Sequence, residues 1–264
     1  MTQALIWAAA GTGFTFLMTS LGAAMVFFLR RRSGEAMQRI FLGFAAGVMI
    51  AASVWSLLIP AIEEAEAAGG IGWVPAAGGF VLGILLMLAL DGLLPHLHSG
   101  AAQAEGLPSS FRRSTLLVLA VTLHNIPEGM AVGLTFARAA QHSGDTGLIA
   151  AAGALALGIG IQNFPEGAAV ALPLRQEGLS CRRAFAYGAL SGMVEPIFGV
   201  LVVLAAGQLE PFMPWLLSAA AGAMLYVVVE ELIPEAHLGE HSHPGTLGVM
   251  AGFLVMMVLD VALG

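Results

Sequence analysis

Apolar runs of about 20 residues or more recur along this chain, and that is the length an α-helix needs to cross the hydrocarbon of a bilayer. Eight such runs can be drawn, at about 4–29, 39–62, 72–95, 114–136, 147–174, 184–207, 212–235 and 246–263. A transmembrane barrel would instead show alternating segments of roughly ten residues. Composition agrees with the helical reading. Hydrophobic residues make up 58% of the 264 residues and charged residues only 10%, against about 25% charged in soluble domains. The 34 glycines suit helices that approach closely in lipid. The longest connection, "HLHSGAAQAEGLPSSFRR" at 96–113, leaves no room for a soluble domain. The expectation is an all-α polytopic membrane protein: one transmembrane domain, 1–264, with eight transmembrane helices.

The positive charges orient those helices. All ten are arginine. Arg30, Arg31, Arg32 and Arg39 lie around the first connection, Arg112 and Arg113 in the third, and Arg175, Arg182 and Arg183 in the fifth. Only Arg138 lies in an even-numbered connection. Cytoplasmic loops carry the excess of basic residues, so odd connections are expected inside and both termini extracytoplasmic. The acidic "EEAE" at 63–66 then faces outside. The one cysteine, Cys181, excludes an internal disulfide and a cysteine-rich metal site. No basic n-region marks a cleaved signal peptide. No basic stripe with interleaved aromatics suggests nucleic acid as a partner.

Seven acids fall within or at the ends of the apolar runs: Asp91, Glu128, Glu166, Glu195, Glu230, Glu231 and Asp260. No arginine accompanies them at membrane depth. A carboxylate at the bilayer centre costs about 2.5–3.5 kcal/mol even on the lenient insertion scale. A lone one is readily explained as a protonated acid hydrogen-bonded between helices. Several together call for a cation, a metal ion or protons.

Two stretches sharpen the choice. "LHNIPEGMAVGL" at 123–134 and "IQNFPEGAAVAL" at 161–172 repeat one pattern. His124 and Glu128 are spaced i, i+4, as are Gln162 and Glu166, so each pair shares a helix face within about 6 Å at Cβ. Imidazole and carboxylate both suit zinc, and imidazole also suits iron and nickel. Asn125 and Asn163 follow one position on, where their amide oxygens can face a second ion. Pro127 and Pro165 cannot donate to the carbonyls four residues back, so each helix is expected to kink and free a carbonyl near its acid. Such backbone is tolerated at membrane depth where it lines a cavity. A lone Pro-Glu-Gly reads as a simple kink; the repeated pattern reads as a site.

Weaker candidates surround this pair. "GMVEPIFG" places Glu195 before Pro196, a third acid on a third proline-bent helix. "VVVEELIPEAH" carries Glu231 near the inferred cytoplasmic end of the seventh run, and with Asp91 it forms a candidate exit path or an ordinary acidic helix end. The histidines of "PHLHSG" and "HLGEHSHP" read either as weak metal contacts or as polar loops. Met49 reads as a packing residue whose thioether can touch a soft ion.

"HNIPEG" and "QNFPEG" resemble the signatures of the ZIP (Zrt/Irt-like) metal transporters, most closely the GufA-like prokaryotic branch, and the likeness extends over essentially the whole chain. The resemblance implies import of zinc, or of cadmium, iron or manganese, into the cytoplasm through a binuclear site. It implies a primary ion held by His124, Glu128, Gln162 and Glu166, with Met49 a further contact. A second ion would lie on Asn125, Asn163 and Glu195, with Glu128 and Glu166 bridging. Asp91 and Glu231 would lie on the exit side. Some relatives have Asp where this chain has Asn163, which removes one charge from the second position. The resemblance further implies a homodimer, elevator-like movement of one helix bundle, residence in the prokaryotic inner membrane, and no catalytic cofactor, the ion being substrate.

Two other readings fit the residues less well. An intramembrane metalloenzyme usually needs H-E-x-x-H, which is absent. A proton-coupled carrier of an organic substrate would use the acids as a relay but leaves the His124/Glu128 pair unexplained.

Overall fold

The computed structural model describes residues 2–28, 35–93, 113–142, 145–176, 178–206, 210–236 and 243–263. The described residues form helices and no strand. α1 (Thr2–Ala23) runs on into a 3-10 turn at Ala24–Phe27. The second span is α2 (Glu35–Ala52), a π-helical segment at Ser53–Leu58, and α3 (Ile59–Ala67). α4 (Trp73–Leu93) is the third. α5 (Arg113–Gln141) and α6 (Thr146–Gln176) are the fourth and fifth, and both continue through internal prolines. The sixth is divided into α7 (Cys181–Ser191) and α8 (Val194–Ala206). α9 (Met213–Val227), a π-helical segment at Val228–Leu232 and α10 (Ile233–Ala236) make the seventh, and α11 (His243–Leu263) the eighth.

Seven of these spans are long and apolar enough to cross a membrane. α5 is the other. At 29 residues it is about 44 Å long, and it is the helix that carries His124, Asn125 and Glu128. The outward faces are what a bilayer asks of them. Val81, Leu82, Leu85, Leu86 and Leu88 of α4 are exposed, a patch that water would penalise and lipid does not. The chain is a multi-pass membrane protein.

The helices sort into two groups by their packing. α1, α5, α6, α7 and α8 pack on one another, and α2, α3, α4, α9, α10 and α11 form the second group. Where α1 meets α6, the backbones touch: a Cβ on Gly167 would stand 2.0 Å from the Thr19 carbonyl oxygen. The two groups meet where α2 and α11 pack on α6, and α9 on α5. Large side chains such as Met49, Leu134, Leu155, Ile159, Met224 and Met256 are fully buried in the core there.

The division of the sixth span differs from the expected proline-bent helix. The chain breaks at Gly192 and Met193, where backbone bonds close short turns onto Ala189 and Leu190. Glu195 therefore stands in the first turn of α8. Pro196 is tolerated there because first-turn N–H groups have no intrahelical partner.

Candidate metal centre

The two repeated motifs meet inside the first helix group. Asn125 and Glu128 on α5, Gln162, Asn163 and Glu166 on α6, and Glu195 on α8 are all buried, Glu195, Gln162 and Asn163 completely. The i, i+4 spacing holds on both helices. The backbone of His124 lies one turn before Glu128 in α5; its side chain is outside the described residues.

Amides and hydroxyls knit the acids together. The Gln162 amide donates to Glu128 Oε1 across the α5–α6 seam. Asn163 Nδ2 donates to Glu195 Oε2 at 2.9 Å and lies 3.4 Å from the Thr15 carbonyl oxygen. Thr19 Oγ1, on α1, donates to the other Glu195 oxygen at 3.2 Å. Asn125 Nδ2 donates to the Ser191 carbonyl at 3.1 Å, at the end of α7. The break in the sixth span thus gives Asn125 its acceptor and brings the α8 N-terminus to Glu195. The positive end of a helix dipole favours a carboxylate there.

With every amide N–H₂ directed at protein, the oxygens are left over. Asn125 Oδ1, Glu128 Oε2, Gln162 Oε1 and Asn163 Oδ1 are buried with no hydrogen-bond partner among the described residues. An unsatisfied buried acceptor costs about 1–3 kcal/mol, and native interiors hold few of them. A cation is one group that would satisfy such acceptors. Neutral amide and carboxylate oxygens are donors that suit harder divalent ions such as manganese, and carboxylate also suits zinc. Among the described residues, no three His, Cys, Asp or Glu side chains converge on one ion position.

The remaining candidates fall elsewhere. Met49 is fully buried on α2, the helix of the second group that packs on α6. The Tyr226 hydroxyl donates to Asp91, linking α9 to α4. Asp91 is thus tied to α9, the helix that leads into the π-helical segment carrying Glu231. The histidines of "PHLHSG" (His96, His98), and His237 and His241, lie outside the described residues.

Two features have no counterpart in the sequence reading. One is the row of completely buried threonines on α1, Thr12, Thr15 and Thr19. The i, i+3, i+7 spacing of hydroxyls in an apolar run was the available signal. The other is a cavity of about 280 Å³ where the π-helical segment at Ser53–Leu58, α3, α5, α6 and α11 meet. Its lining includes Ser56, Glu63, Thr135, Arg138, Asp145 and Asp260. Ser56 Oγ donates to Asp260 Oδ1 at 2.6 Å, and Asp260 Oδ2 is buried without a described partner. Thr135 stands seven residues beyond Glu128, about 10 Å along α5. The fully buried Val132, Leu134, Leu155 and Ile159 belong to the same stretches of α5 and α6.

The relatives of the chain are zinc transporters by name. The family model described as ZIP Zinc transporter matches residues 102–260. The human zinc transporter ZIP11 is 40% identical, the match covering 96% of this chain and 96% of that protein. Zinc transporter ZIPB of Bordetella bronchiseptica is 41% identical over 98% of this chain and 82% of its own length. Zinc transporter GufA of Myxococcus xanthus is 40% identical over 93% and 94%. The relatives are named as transporters, not enzymes. With eight helical spans, a buried acid–amide cluster at the paired motifs and this likeness along nearly all its length, the chain belongs to the ZIP family of zinc transporters.

Proposed function

We propose that the chain carries zinc, and with it cadmium, iron or manganese as related divalent substrates, across the cell membrane into the cytoplasm. The observation that carries the reading is the set of four orphaned oxygens at the α5–α6 seam. The primary ion sits on His124, Glu128, Gln162 and Glu166, with Met49 reaching it from the second helix group. In the family the chain resembles, a second ion position lies beside it, at the places of Asn125, Asn163 and Glu195.

The arginine asymmetry supports inward orientation, with both termini outside. On that orientation the cavity at Asp260 and Glu63 is the outer vestibule, and the apolar residues between it and Glu128 close the outer path. Asp91 and Glu231 stand on the exit side. The homodimeric state and elevator-like movement rest on the resemblance to the family.

The test is zinc and cadmium uptake into proteoliposomes by the wild type, Glu166→Ala and His124→Ala. Uptake that collapses in both variants supports a transport site between α5 and α6. A folded wild type that binds metal without moving it would favour a metalloenzyme or sensor on the same scaffold.

A further inference from the structure

The second ion position of the family draws on Glu195, yet in this chain both Glu195 oxygens are engaged. Thr19 Oγ1 donates to Oε1 at 3.2 Å and Asn163 Nδ2 to Oε2 at 2.9 Å. The carboxylate also stands in the first turn of α8, where the helix dipole favours negative charge. A buried carboxylate needs hydrogen bonds or a counter-charge, and here protein supplies hydrogen bonds to both oxygens. The Asn163 amide is interposed: its nitrogen binds Glu195 and its oxygen is left without a partner. Outer hydrogen bonds of this kind orient the groups that touch a metal.

We infer that in this chain Glu195 is a positioning residue, not a metal ligand: held by Thr19, it fixes the Asn163 amide with Oδ1 directed at the ion, and the centre binds one divalent ion per chain. This deepens the proposed metal-transport reading and rests on it. Asn163 closes the second position because its N–H₂ occupies the side of Glu195 that an ion would need. An aspartate at 163 could not donate to Glu195. It would leave two carboxylates facing each other, and a second cation would relieve their repulsion.

The experiment is the count of zinc or cadmium ions per chain in the purified full-length protein, by elemental analysis after equilibrium dialysis, with the affinity from titration. The expected result is one ion in the wild type and two in Asn163→Asp. Glu195→Gln keeps one ion and binds about 10- to 100-fold more weakly, as loss of an outer partner does. If Asn163→Asp fails to fold, Thr19→Val serves: one ion, weaker affinity. Two ions in the wild type, one of them lost in Glu195→Gln, would overturn the inference. One ion in a folded Asn163→Asp would also overturn it, because the amide would not be what closes the second position. No ion bound to the wild type would remove the metal reading itself, an outcome distinct from either.

Discussion

Gly129→Ala adds a single methyl group beside the centre and removes no donor. A Cβ at this position would stand 2.4 Å from the Glu195 carbonyl oxygen, 2.6 Å from its Cα and 2.9 Å from its carbonyl carbon. All three are backbone atoms of α8, so no rotamer change relieves the clash. Ordinary contact begins at 3.4 Å, so α5 and α8 must part by about 1 Å, a typical overpacking strain of roughly 1–3 kcal/mol. The Asn163–Glu195 bond, now 2.9 Å, would be pulled out of hydrogen-bond range if α8 moved alone. Metal geometry tolerates only about 0.2 Å. Strain of this size, expressed at the centre, weakens zinc binding by about 5- to 100-fold at about 1.4 kcal/mol per decade. The assay is zinc titration and proteoliposome uptake beside Gly153→Ala, whose Cβ would meet nothing within 4 Å. Gly153→Ala should match the wild type. Uptake and affinity unchanged in Gly129→Ala would refute the claim that backbone contact between α5 and α8 sets the centre.

Three further outcomes follow from the same structure. Carboxylate and imidazole donors bind metal only when deprotonated, so uptake from subsaturating zinc should fall as pH drops from 7 to 5; equal rates would count against these ligands. Asp260→Asn keeps the side-chain shape but removes the charge beside the outer cavity, so uptake at low zinc should slow by about tenfold through lost steering, with equilibrium binding at the centre unchanged. Gln162→Ala deletes both the amide that holds Glu128 and one orphaned oxygen. It should weaken zinc binding by more than Glu64→Gln, which alters only the half-buried ion pair with Arg138 at 2.8 Å; similar losses would argue against Gln162 at the centre.

The spans were legible because hydrocarbon thickness fixes their length and the chain must satisfy its backbone within each one. Glu128 and Glu166 were legible because charge in an apolar run is costly and the two motifs repeat. What escaped were features set between helices. The break at Gly192 and Met193 lies in a continuous apolar run, and nothing local announces that Asn125, 66 residues upstream, will cap the Ser191 carbonyl. The π-helical segments at Ser53–Leu58 and Val228–Leu232 have no periodicity of their own at that length. Ser56 and Asp260 are 204 residues apart, so the polar floor of the cavity they line is a product of topology. Thr19 belongs to a spacing that was present in the sequence and acquires meaning only once α1 is known to lie against α8.

Asn125, Glu128, Gln162, Asn163, Glu166 and Glu195 all ride on a single helix group, and Met49 sits on the other. If the two groups shift past one another, this acid–amide cluster travels as a unit and need not be rebuilt in transit. The exception is the thioether. A sulfur contributed from the stationary side would be shed by the displacement itself. The ion would then be gripped more tightly in one position than in the other. Were Met49 a ligand, that difference in grip would bias loading against release, set by which helix a methionine occupies.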